Sequence, residues 1–246
     1  GFGQTYIAED THRPGNPKCV VKHLKPASSA PHVLEIARKL FQKEAETLER
    51  LGDHNQIPRL LAYFEENQEF YLVQEFIDGQ TLEEELAIRG NFSEKEVLDV
   101  LQAILPVLQF VHDRGSIHRD IKPANLILRT VDKRIVVLDF GAVKAIGTAY
   151  VTRIGAEGYC APEQERGQPS TRSDLYAIGT TLIFLLTGEA PLKFYRLRGK
   201  DYRFDLEGVP SITPQLRTVI EKVTQQHQGD RYATASSLAV ALSACK

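Results

Sequence analysis

The sequence "SIHRDIKPANLIL", residues 116–128, places many polar and charged side chains in a short apolar stretch. Within eight residues it carries an imidazole, two cations, a carboxylate and an amide: His118, Arg119, Lys122, Asp120 and Asn125. A solvated loop would not need the aliphatic residues that interrupt and follow them. A dry core would not tolerate these charges without compensating interactions. The stretch therefore indicates a functional site that is largely shielded from water.

The composition is that of an ordinary soluble globular protein. Of the 246 residues, 42% are apolar and 25% are charged, and the formal net charge of -2 argues against a nucleic-acid binder that works by bulk electrostatics. The three cysteines are far apart, fit no metal motif and predict reduced thiols in a cytoplasmic protein. The most apolar run, 175–186, is too short to span a bilayer, so no membrane segment is expected. The absence of methionine, even at position 1, predicts that the chain begins inside a longer protein or has been trimmed.

The first part of the chain predicts a small sheet with one helix. Apolar and β-branched residues predict strands within 1–25 and 57–77. Between them, 32–51 is rich in helix-forming residues and predicts one long helix. The sequence "DGQ" at 78–80 then breaks the pattern.

The second part predicts mostly helix. A short helix is expected at 81–88, and a long one begins at Ser93, where Glu96 completes a capping box. Pro106 lies inside the long helix and should kink it or cost about 3 kcal/mol. Two short strands follow the quoted stretch, and the remainder from 174 is expected to be helical.

These segments together predict an α+β fold with two lobes. The expected division is a sheet-rich N-lobe at 1–74, a hinge at 75–80 and a larger, mostly helical C-lobe at 81–246. Ligands prefer the clefts between such lobes, so a binding site is expected there.

A buried ion pair is expected in the N-lobe. Phe41, Glu44 and Leu48 lie on one stripe of the long helix, and an acid on an inward face costs energy unless it is paired. On the strand "KCVVKHL", Val20 and Lys22 share a face, so Lys22 also needs a partner. The simplest arrangement pairs Lys22 with Glu44, although each charge could instead reach water along its flexible side chain.

Three motifs carry more information together than each does alone. An aspartate after an apolar strand, as at Asp139, is a common place for a metal ligand, and the opening "GFG" alone marks only a turn. The sequences "HRDIKPAN" at 118–125, "DFG" at 139–141 and "APE" at 161–163 have the order and spacing of the protein-kinase signature. Over its whole length the chain resembles the eukaryotic-like serine/threonine protein kinases of bacteria, in particular the cyanobacterial ones.

The resemblance implies that ATP is the nucleotide. Gly1, Phe2 and Gly3 match the loop that covers the phosphates, where backbone amides approach the anion. Lys22 matches the lysine that contacts the α- and β-phosphates, and Glu44 matches its helix partner. The adenine ring is expected to contact Val20 above, Ile127 below, Gln74 as gatekeeper and the hinge from Glu75 to Ile77.

The resemblance also implies the catalytic roles. Asp120 matches the base that orients the substrate hydroxyl, and Lys122 matches the cation that neutralises the γ-phosphate. A lysine at this position is typical of serine/threonine rather than tyrosine kinases. Asn125 and Asp139 match the ligands of Mg²⁺, for which Mn²⁺ could substitute. Protein substrates bearing serine or threonine are the expected partners.

Other motif residues are expected to be structural. His118 is expected to pack with Phe140, Leu48 and Leu60 rather than to carry a proton, because Asp120 already accepts it. Glu163 is expected to pair with Arg231. Asp174 is expected to cap a helix and to brace the catalytic loop. Cys160 is expected to pack as a small apolar side chain, and the alternative is that it acts as a redox switch.

Regulation is expected on the segment that follows the DFG motif. Arg119 provides a cation for a phosphate there, and Thr148 and Thr152 are the candidate sites of autophosphorylation. The alternative is that this segment is ordered without modification.

The chain departs from the family pattern at three places. The first strand and the first glycines of the loop are expected upstream of Gly1. Thr5 stands where the family usually has valine, and Ala156 replaces a threonine whose hydroxyl normally ties the catalytic aspartate to its lysine. The leading hypothesis is a serine/threonine protein kinase. The alternatives are a pseudokinase that binds nucleotide or acts as a scaffold, and a small-molecule kinase, against which the APE motif argues.

Overall fold

The computed structural model describes residues 3–26, 28, 30–52, 54–140, 158–199 and 201–245. These residues form two compact units. The first contains the chain up to Asp78 together with Phe140, and the second contains Gly79 to Asp139 together with the residues from 158 onward. Each unit has its own buried apolar core. The α+β composition predicted from the sequence is confirmed.

The first unit is a four-stranded antiparallel sheet with one long helix. Its elements are β1 (Gly3–Glu9), β2 (Lys18–Leu24), α1 (Pro31–Leu51), β3 (Leu60–Glu66) and β4 (Glu69–Glu75), with the strand order β1-β2-β4-β3. Asn67 and Gln68 join β3 to β4 with φ angles of 52° and 64°. These left-handed conformations match the twist of a tight hairpin. The strands and the helix predicted for this part are confirmed.

The inward face of α1 is the stripe expected from the sequence. Phe41, Glu44, Leu48 and Leu51 are all buried. The Phe41 ring lies 5.3 Å from that of Phe70 on β4. Apolar burial therefore fixes the rotation of α1, and Glu44 is carried to the sheet with its apolar neighbours.

The second unit is mostly helical. Its elements are β5 (Gly79–Thr81), α2 (Leu82–Arg89), α3 (Glu94–Asp113), β6 (Leu126–Arg129), β7 (Ile135–Val137), α4 (Pro162–Glu165), α5 (Thr171–Thr187), β8 (Tyr195–Arg198), β9 (Asp201–Phe204), α6 (Pro214–Val223) and α7 (Ala235–Ser243). Ser93 caps α3 with Glu96, as predicted, and the helix continues through Pro106. Nearly every residue of α5 is buried, as its apolar sequence predicts. Within the described residues, no helix combines the length and apolarity that a membrane span requires.

The expectation that the chain is helical from 174 onward is wrong in one place. Strands β8 and β9 form an antiparallel hairpin in which Tyr195 pairs with Phe204 and Arg196 with Arg203. Gly199 has a φ of 69° between the strands, a conformation that glycine adopts without steric cost. The alternation of aromatic and charged residues in "YRLRGKDYRF" is a strand pattern rather than a helical one.

Candidate active site

The ion pair predicted for the first unit is present. Lys22 Nζ lies 3.1 Å from Glu44 Oε1. The Glu44 side chain is 5% exposed and that of Lys22 is 24% exposed. Lys22 stands in the middle of β2, opposite Thr5 on β1 and Leu72 on β4. Strand alternation and helix periodicity therefore bring together two charges that are 22 residues apart in the chain.

The other nucleotide residues predicted for this unit lie on its strands or directly after them. Val20 pairs with Gln74, which is buried, and Ile77 is buried beyond the end of β4. The Glu75 N–H donates to Arg59 O at 3.0 Å, so Glu75 would contact adenine through its carbonyl. Gly3 begins β1, whereas Gly1 and Phe2 lie outside the described residues.

A tight cluster surrounds Asp120 in the second unit. Lys122 Nζ lies 3.0 Å from Asp120 Oδ2. Asn125 Nδ2 donates to the same oxygen at 2.9 Å and to the Asp120 carbonyl at 2.7 Å. The Asp120 side chain is 6% exposed. A carboxylate in so dry a place is stabilised by these donors, and they fix its direction.

Strand pairing places Asn125 next to the backbone that leads into Asp139. Leu126 on β6 pairs with Val137 on β7, and the Leu138 N–H donates to Asn125 O at 2.8 Å. Asp139 follows with a φ of 58°, a left-handed conformation that costs energy for an aspartate. Such strain outside a hairpin turn is often found where function fixes the backbone.

The donor atoms here fit a magnesium ion. Both bonds from the Asn125 side chain use Nδ2, so its oxygen Oδ1 points away from them and is a hard ligand, as is the Asp139 carboxylate. Within the described residues, no group of three or more His, Cys, Asp or Glu side chains could hold a metal. A magnesium ion held here would complete its coordination with water and substrate phosphates, as Mg²⁺ commonly does.

His118 connects the catalytic loop to the strand that precedes Asp139. Its Nε2 lies 2.8 Å from Leu138 O, and its Nδ1 accepts from the Asp120 N–H at 3.3 Å. Burial lowers the pKa of this imidazole below its ordinary value. His118 is therefore neutral, with the proton on Nε2, and acts as a structural link. The stacking predicted for it with Phe140, Leu48 and Leu60 joins residues of both units and stays a prediction.

The backbone of Arg119 is held from both sides. Its φ of 70° is left-handed, its N–H donates to Asp174 Oδ1 at 2.8 Å, and its carbonyl accepts from Gln164 Nε2 at 2.6 Å. Asp174 also accepts from the His118 N–H at 2.9 Å and lies 2.8 Å from His112 Nε2. The predicted brace at Asp174 is confirmed, but its predicted role as helix cap is wrong. The cap of α5 is Ser170, whose N–H donates to Ser173 Oγ.

Comparison with known proteins agrees with this geometry. The sequence matches the protein kinase domain family over residues 1–241. This chain belongs to the protein kinase family. The kinase domain of Mycobacterium tuberculosis PknI has a TM-score of 0.78 and 26% identity over 100% of this chain and 92% of that chain. The two-lobed kinase fold predicted from the sequence is thereby confirmed.

The curated relatives are bacterial serine/threonine kinases. Serine/threonine-protein kinase C of Synechocystis is 45% identical to this kinase domain over 98% of the chain, which covers 47% of that protein. Serine/threonine-protein kinase PknA of Nostoc is 42% identical over 98% of the chain, which covers 45% of that protein. The chain thus spans about half the length of the curated relatives it matches.

The structural pair predicted from the APE motif is present in the kinase domain. Arg231 donates to both oxygens of Glu163, at 2.7 and 2.8 Å, and Ser173 Oγ donates to Glu163 at 2.7 Å. Burial raises the pKa of the Glu163 carboxyl, but these bonds outweigh it, so the pKa lies below its ordinary value. The pair is ionised at neutral pH and ties α4 to the chain that precedes α7.

Cys160 has the properties of a packed side chain. Burial, followed by the charges of Glu165 and Glu163, raises the pKa of its thiol to about 11. Thiolate is the reactive form of cysteine, so this thiol is a poor redox switch at neutral pH.

The regulatory positions lie partly beyond what the structure describes. Thr148, Thr152 and Ala156 are outside the described residues. Arg119 Nε is buried and has no hydrogen-bond partner among the residues that are described. Gln164 and His112 were not identified from the sequence, because no local pattern marks them and their partners lie 45 and 62 positions away in the chain.

Proposed function

We propose that this kinase domain transfers the γ-phosphate of ATP to serine or threonine hydroxyls of protein substrates, with Mg²⁺ as the metal. The observation that carries this proposal is the Asp120 carboxylate, held at 3.0 Å by Lys122 and at 2.9 Å by Asn125. The relatives named serine/threonine-protein kinases support it. The serine/threonine preference also follows from Lys122.

The chemistry requires positioning and charge neutralisation more than covalent assistance. The substrate hydroxyl oxygen attacks the γ-phosphorus, and the bond from this phosphorus to the β–γ bridging oxygen breaks to release ADP. Asp120 orients the hydroxyl and accepts its proton, while Lys122 neutralises charge on the phosphoryl oxygens. Bound Mg²⁺, held by Asn125 and Asp139, would supply further charge neutralisation to the phosphates.

We assign the nucleotide to residues of both units. In the first unit, Lys22 binds the α- and β-phosphates and is held in place by Glu44. Gly1, Phe2 and Gly3 form the phosphate loop. The adenine contacts are the side chains of Val20, Gln74 and Ile127 and the backbone of Glu75 and Ile77. The N-lobe, hinge and C-lobe boundaries at 74/75 and 80/81 belong to the same proposal.

Regulation and location follow from the same assignment. Autophosphorylation at Thr148 or Thr152 would give the half-buried Arg119 side chain, whose Nε has no hydrogen-bond partner among the described residues, an anionic partner. Mass spectrometry of wild-type and Asp120→Asn protein tests this, since equal phosphorylation of these threonines in both would exclude it. The three cysteines are free, as expected in the reducing cytoplasm, which we assign as the location.

The alternatives have little support. Lys22, Glu44, Asp120, Asn125 and Asp139 are all present, and a pseudokinase would not need the complete set. Ala156 is the one residue that favours a pseudokinase, and its missing hydroxyl should reduce the rate by roughly ten- to a hundredfold at most. The match to the protein kinase domain family argues against a small-molecule kinase.

The test measures transfer of labelled phosphate from ATP to several protein substrates. The wild type should label serine and threonine in the presence of Mg²⁺, and Asp120→Asn should fall to background. The matched control is Asp99→Asn, which changes an exposed aspartate of α3. If the wild type transfers no more phosphate than Asp120→Asn with either Mg²⁺ or Mn²⁺, the proposed activity is wrong.

A further inference from the structure

The hairpin of β8 and β9 carries two like charges in directly opposite positions. Arg196 on β8 pairs with Arg203 on β9, and both residues are exposed. Like charges at such positions destabilise a strand pair. Among the described residues, neither arginine forms an ion pair with a carboxylate. Arg196 instead donates to the carbonyl of Tyr195 at 2.9 Å.

The surrounding segment is strongly basic. The ten residues 195–204 contain four cations and a single acid, in a chain whose net charge is -2. The half-buried Glu221 senses the charge of Arg203, yet burial still raises the pKa of Glu221. Asp201, which pairs with Arg198 across the strands, and Glu221 lie near the arginines, but within the described residues neither carboxylate forms an ion pair with Arg196 or Arg203.

The opposite face of the hairpin anchors it to the second unit. The ring of Tyr195 lies 5.0 Å from that of Phe204, which lies 6.2 Å from the ring of Tyr176 on α5. Phe204 is 1% exposed, and Gln226 donates to the Tyr195 hydroxyl. Burial of the aromatic face keeps Arg196 and Arg203 on the outer face. The two arginines are thus held in place by the fold rather than by a charge partner.

The hairpin lies next to the segment that leads into the APE motif. Leu192, three residues before the hairpin begins at Tyr195, is 41% exposed. A methyl group placed on Gly158 would lie only 3.0 Å from Leu192 Cγ, so the two chain segments are in contact. Gly158 lies three residues before Ala161 of the APE motif. The hairpin therefore lies beside the chain that leads into this motif, and a protein substrate that binds along that chain would reach it.

We propose that the β8–β9 hairpin is a docking surface for an acidic segment of the protein substrate. The inference rests on the proposed kinase function and adds a substrate class to it. Carboxylates of the substrate would bind the guanidinium groups of Arg196 and Arg203 and remove the repulsion between them.

The test compares an acidic and a basic protein substrate, dephosphorylated casein and myelin basic protein. In the double variant Arg196→Gln/Arg203→Gln, the KM for casein should rise about fivefold, as expected for the loss of two exposed charge pairs. The kcat and the KM for myelin basic protein should stay within about twofold. Added salt should weaken casein use by the wild type but not by the variant.

Two controls make the result specific. Arg13→Gln/Lys95→Gln removes two exposed cations elsewhere and should leave both KM values unchanged. The hairpin variant should melt no lower than the wild type, because it removes a repulsion. Unchanged discrimination between casein and myelin basic protein in a well-folded hairpin variant would overturn the proposal.

A binding measurement without ATP separates the docking surface from the activity. A fluorescent peptide of ten glutamates should bind the wild type and lose affinity in the hairpin variant, whether or not the protein transfers phosphate. Binding that is equal in both proteins would overturn the docking surface and leave the kinase function standing. The proposal would also be overturned, in favour of a nucleic-acid partner, if a labelled RNA oligonucleotide bound the hairpin more tightly than the glutamate peptide does.

Discussion

At the scale of single residues, Lys22 and Glu44 illustrate how a buried charge depends on its partner. Glu44 is 5% exposed and relies on the ammonium group 3.1 Å away. Removing one member of a buried pair leaves the other desolvated and uncompensated, which typically costs about 3–5 kcal/mol. The partial exposure of Lys22 places this pair at or below the lower end of that range.

Lys22→Met is expected to reduce phosphate transfer to background while the protein still unfolds cooperatively. Glu44→Gln should lower the activity strongly but less completely, because Lys22 remains available to the nucleotide. The double variant Lys22→Met/Glu44→Met removes both charges and should recover stability but not activity. Urea unfolding and a transfer assay measure the two effects. Full activity in Lys22→Met would contradict the role assigned to this lysine.

Gln164 is expected to act as a positioning residue for Asp120. Its side chain donates to the carbonyl of the strained Arg119, directly before Asp120. Gln164→Ala should lower kcat about three- to tenfold, the value of one net hydrogen bond, with little change in the KM for ATP. Gln164→Glu should be worse than Gln164→Ala, because its carboxylate not only lacks the donor but also repels the Arg119 carbonyl oxygen.

The matched control for this prediction is Gln168→Ala, which changes an exposed glutamine just beyond α4. A general loss of structure would lower the melting temperature of the Gln164 variants as well as kcat. A kcat for Gln164→Ala equal to that of the control would show that the hydrogen bond to Arg119 does not position the catalytic loop.

These residues also mark what the sequence could predict. The inward positions of Glu44 and Lys22 can be predicted from helix periodicity and strand alternation, because each is a charged residue on an otherwise apolar face. The roles of Gln164 and His112 cannot be predicted from local sequence, because their hydrogen bonds to Arg119 and Asp174 join segments that only the tertiary fold brings together.

At the scale of the elements, the pair between Glu163 and Arg231 joins α4 to the chain before α7. Glu163 has a folded pKa below its ordinary value of 4.5, so it contributes stability above about pH 4.5. That contribution is lost as the pH falls through the lowered folded pKa. The pair is buried, with the Arg231 side chain fully enclosed.

Glu163→Gln is therefore expected to be less stable than the wild type at pH 7, with a difference that shrinks as the pH falls below 4.5. Arg231→Ala should cost more, about 3–5 kcal/mol, because it leaves a buried carboxylate without its cation. Urea unfolding at a series of pH values measures both. A constant difference between wild type and Glu163→Gln from pH 7 to below pH 4 would show that ionisation of this pair does not stabilise the fold.

The elements that the sequence predicts differ in length and context from those that it misses. Helices α1 and α3 carry long apolar stripes; the bounds 32–51 predicted for α1 lie within one residue of those observed, and the capping box at Ser93 correctly predicts where α3 begins. Strands β8 and β9 have only four residues each, too few for periodicity to outweigh the helical context. Helix α3 continues through Pro106, which lies on its exposed side, and the kink or energetic cost expected from this proline stays a prediction.

At the scale of the whole molecule, the candidate catalytic groups are divided between two compact units. Lys22 and Glu44 belong to the first, whereas Asp120, Asn125 and Asp139 belong to the second. The units divide at Asp78 and Gly79, within the stretch where the sequence pattern breaks. A nucleotide that engages both sets of residues would link the stability of the whole chain to its occupancy.

This linkage gives a test of the metal ligands that does not depend on activity. With a non-hydrolysable ATP analogue and Mg²⁺ at about 100 times the Kd, the wild type should gain about 2.7 kcal/mol. For a chain of this size that gain corresponds to a rise in Tm of about 5–11 °C. Asp139→Asn should keep the smaller shift seen with the analogue alone and lose most of the additional shift caused by Mg²⁺, because a neutral amide oxygen binds the ion more weakly than a carboxylate does.

The control for the metal prediction is again Asp99→Asn, which removes one carboxylate from the exposed face of α3 and should keep the full Mg²⁺-dependent shift. Lys22→Met should weaken the shift with the analogue alone, since it removes a phosphate contact rather than a metal ligand. If Asp139→Asn retained the Mg²⁺-dependent shift, the ion would be bound elsewhere, and the pairing of β6 with β7 that sets Asn125 beside Asp139 would have no role in holding it.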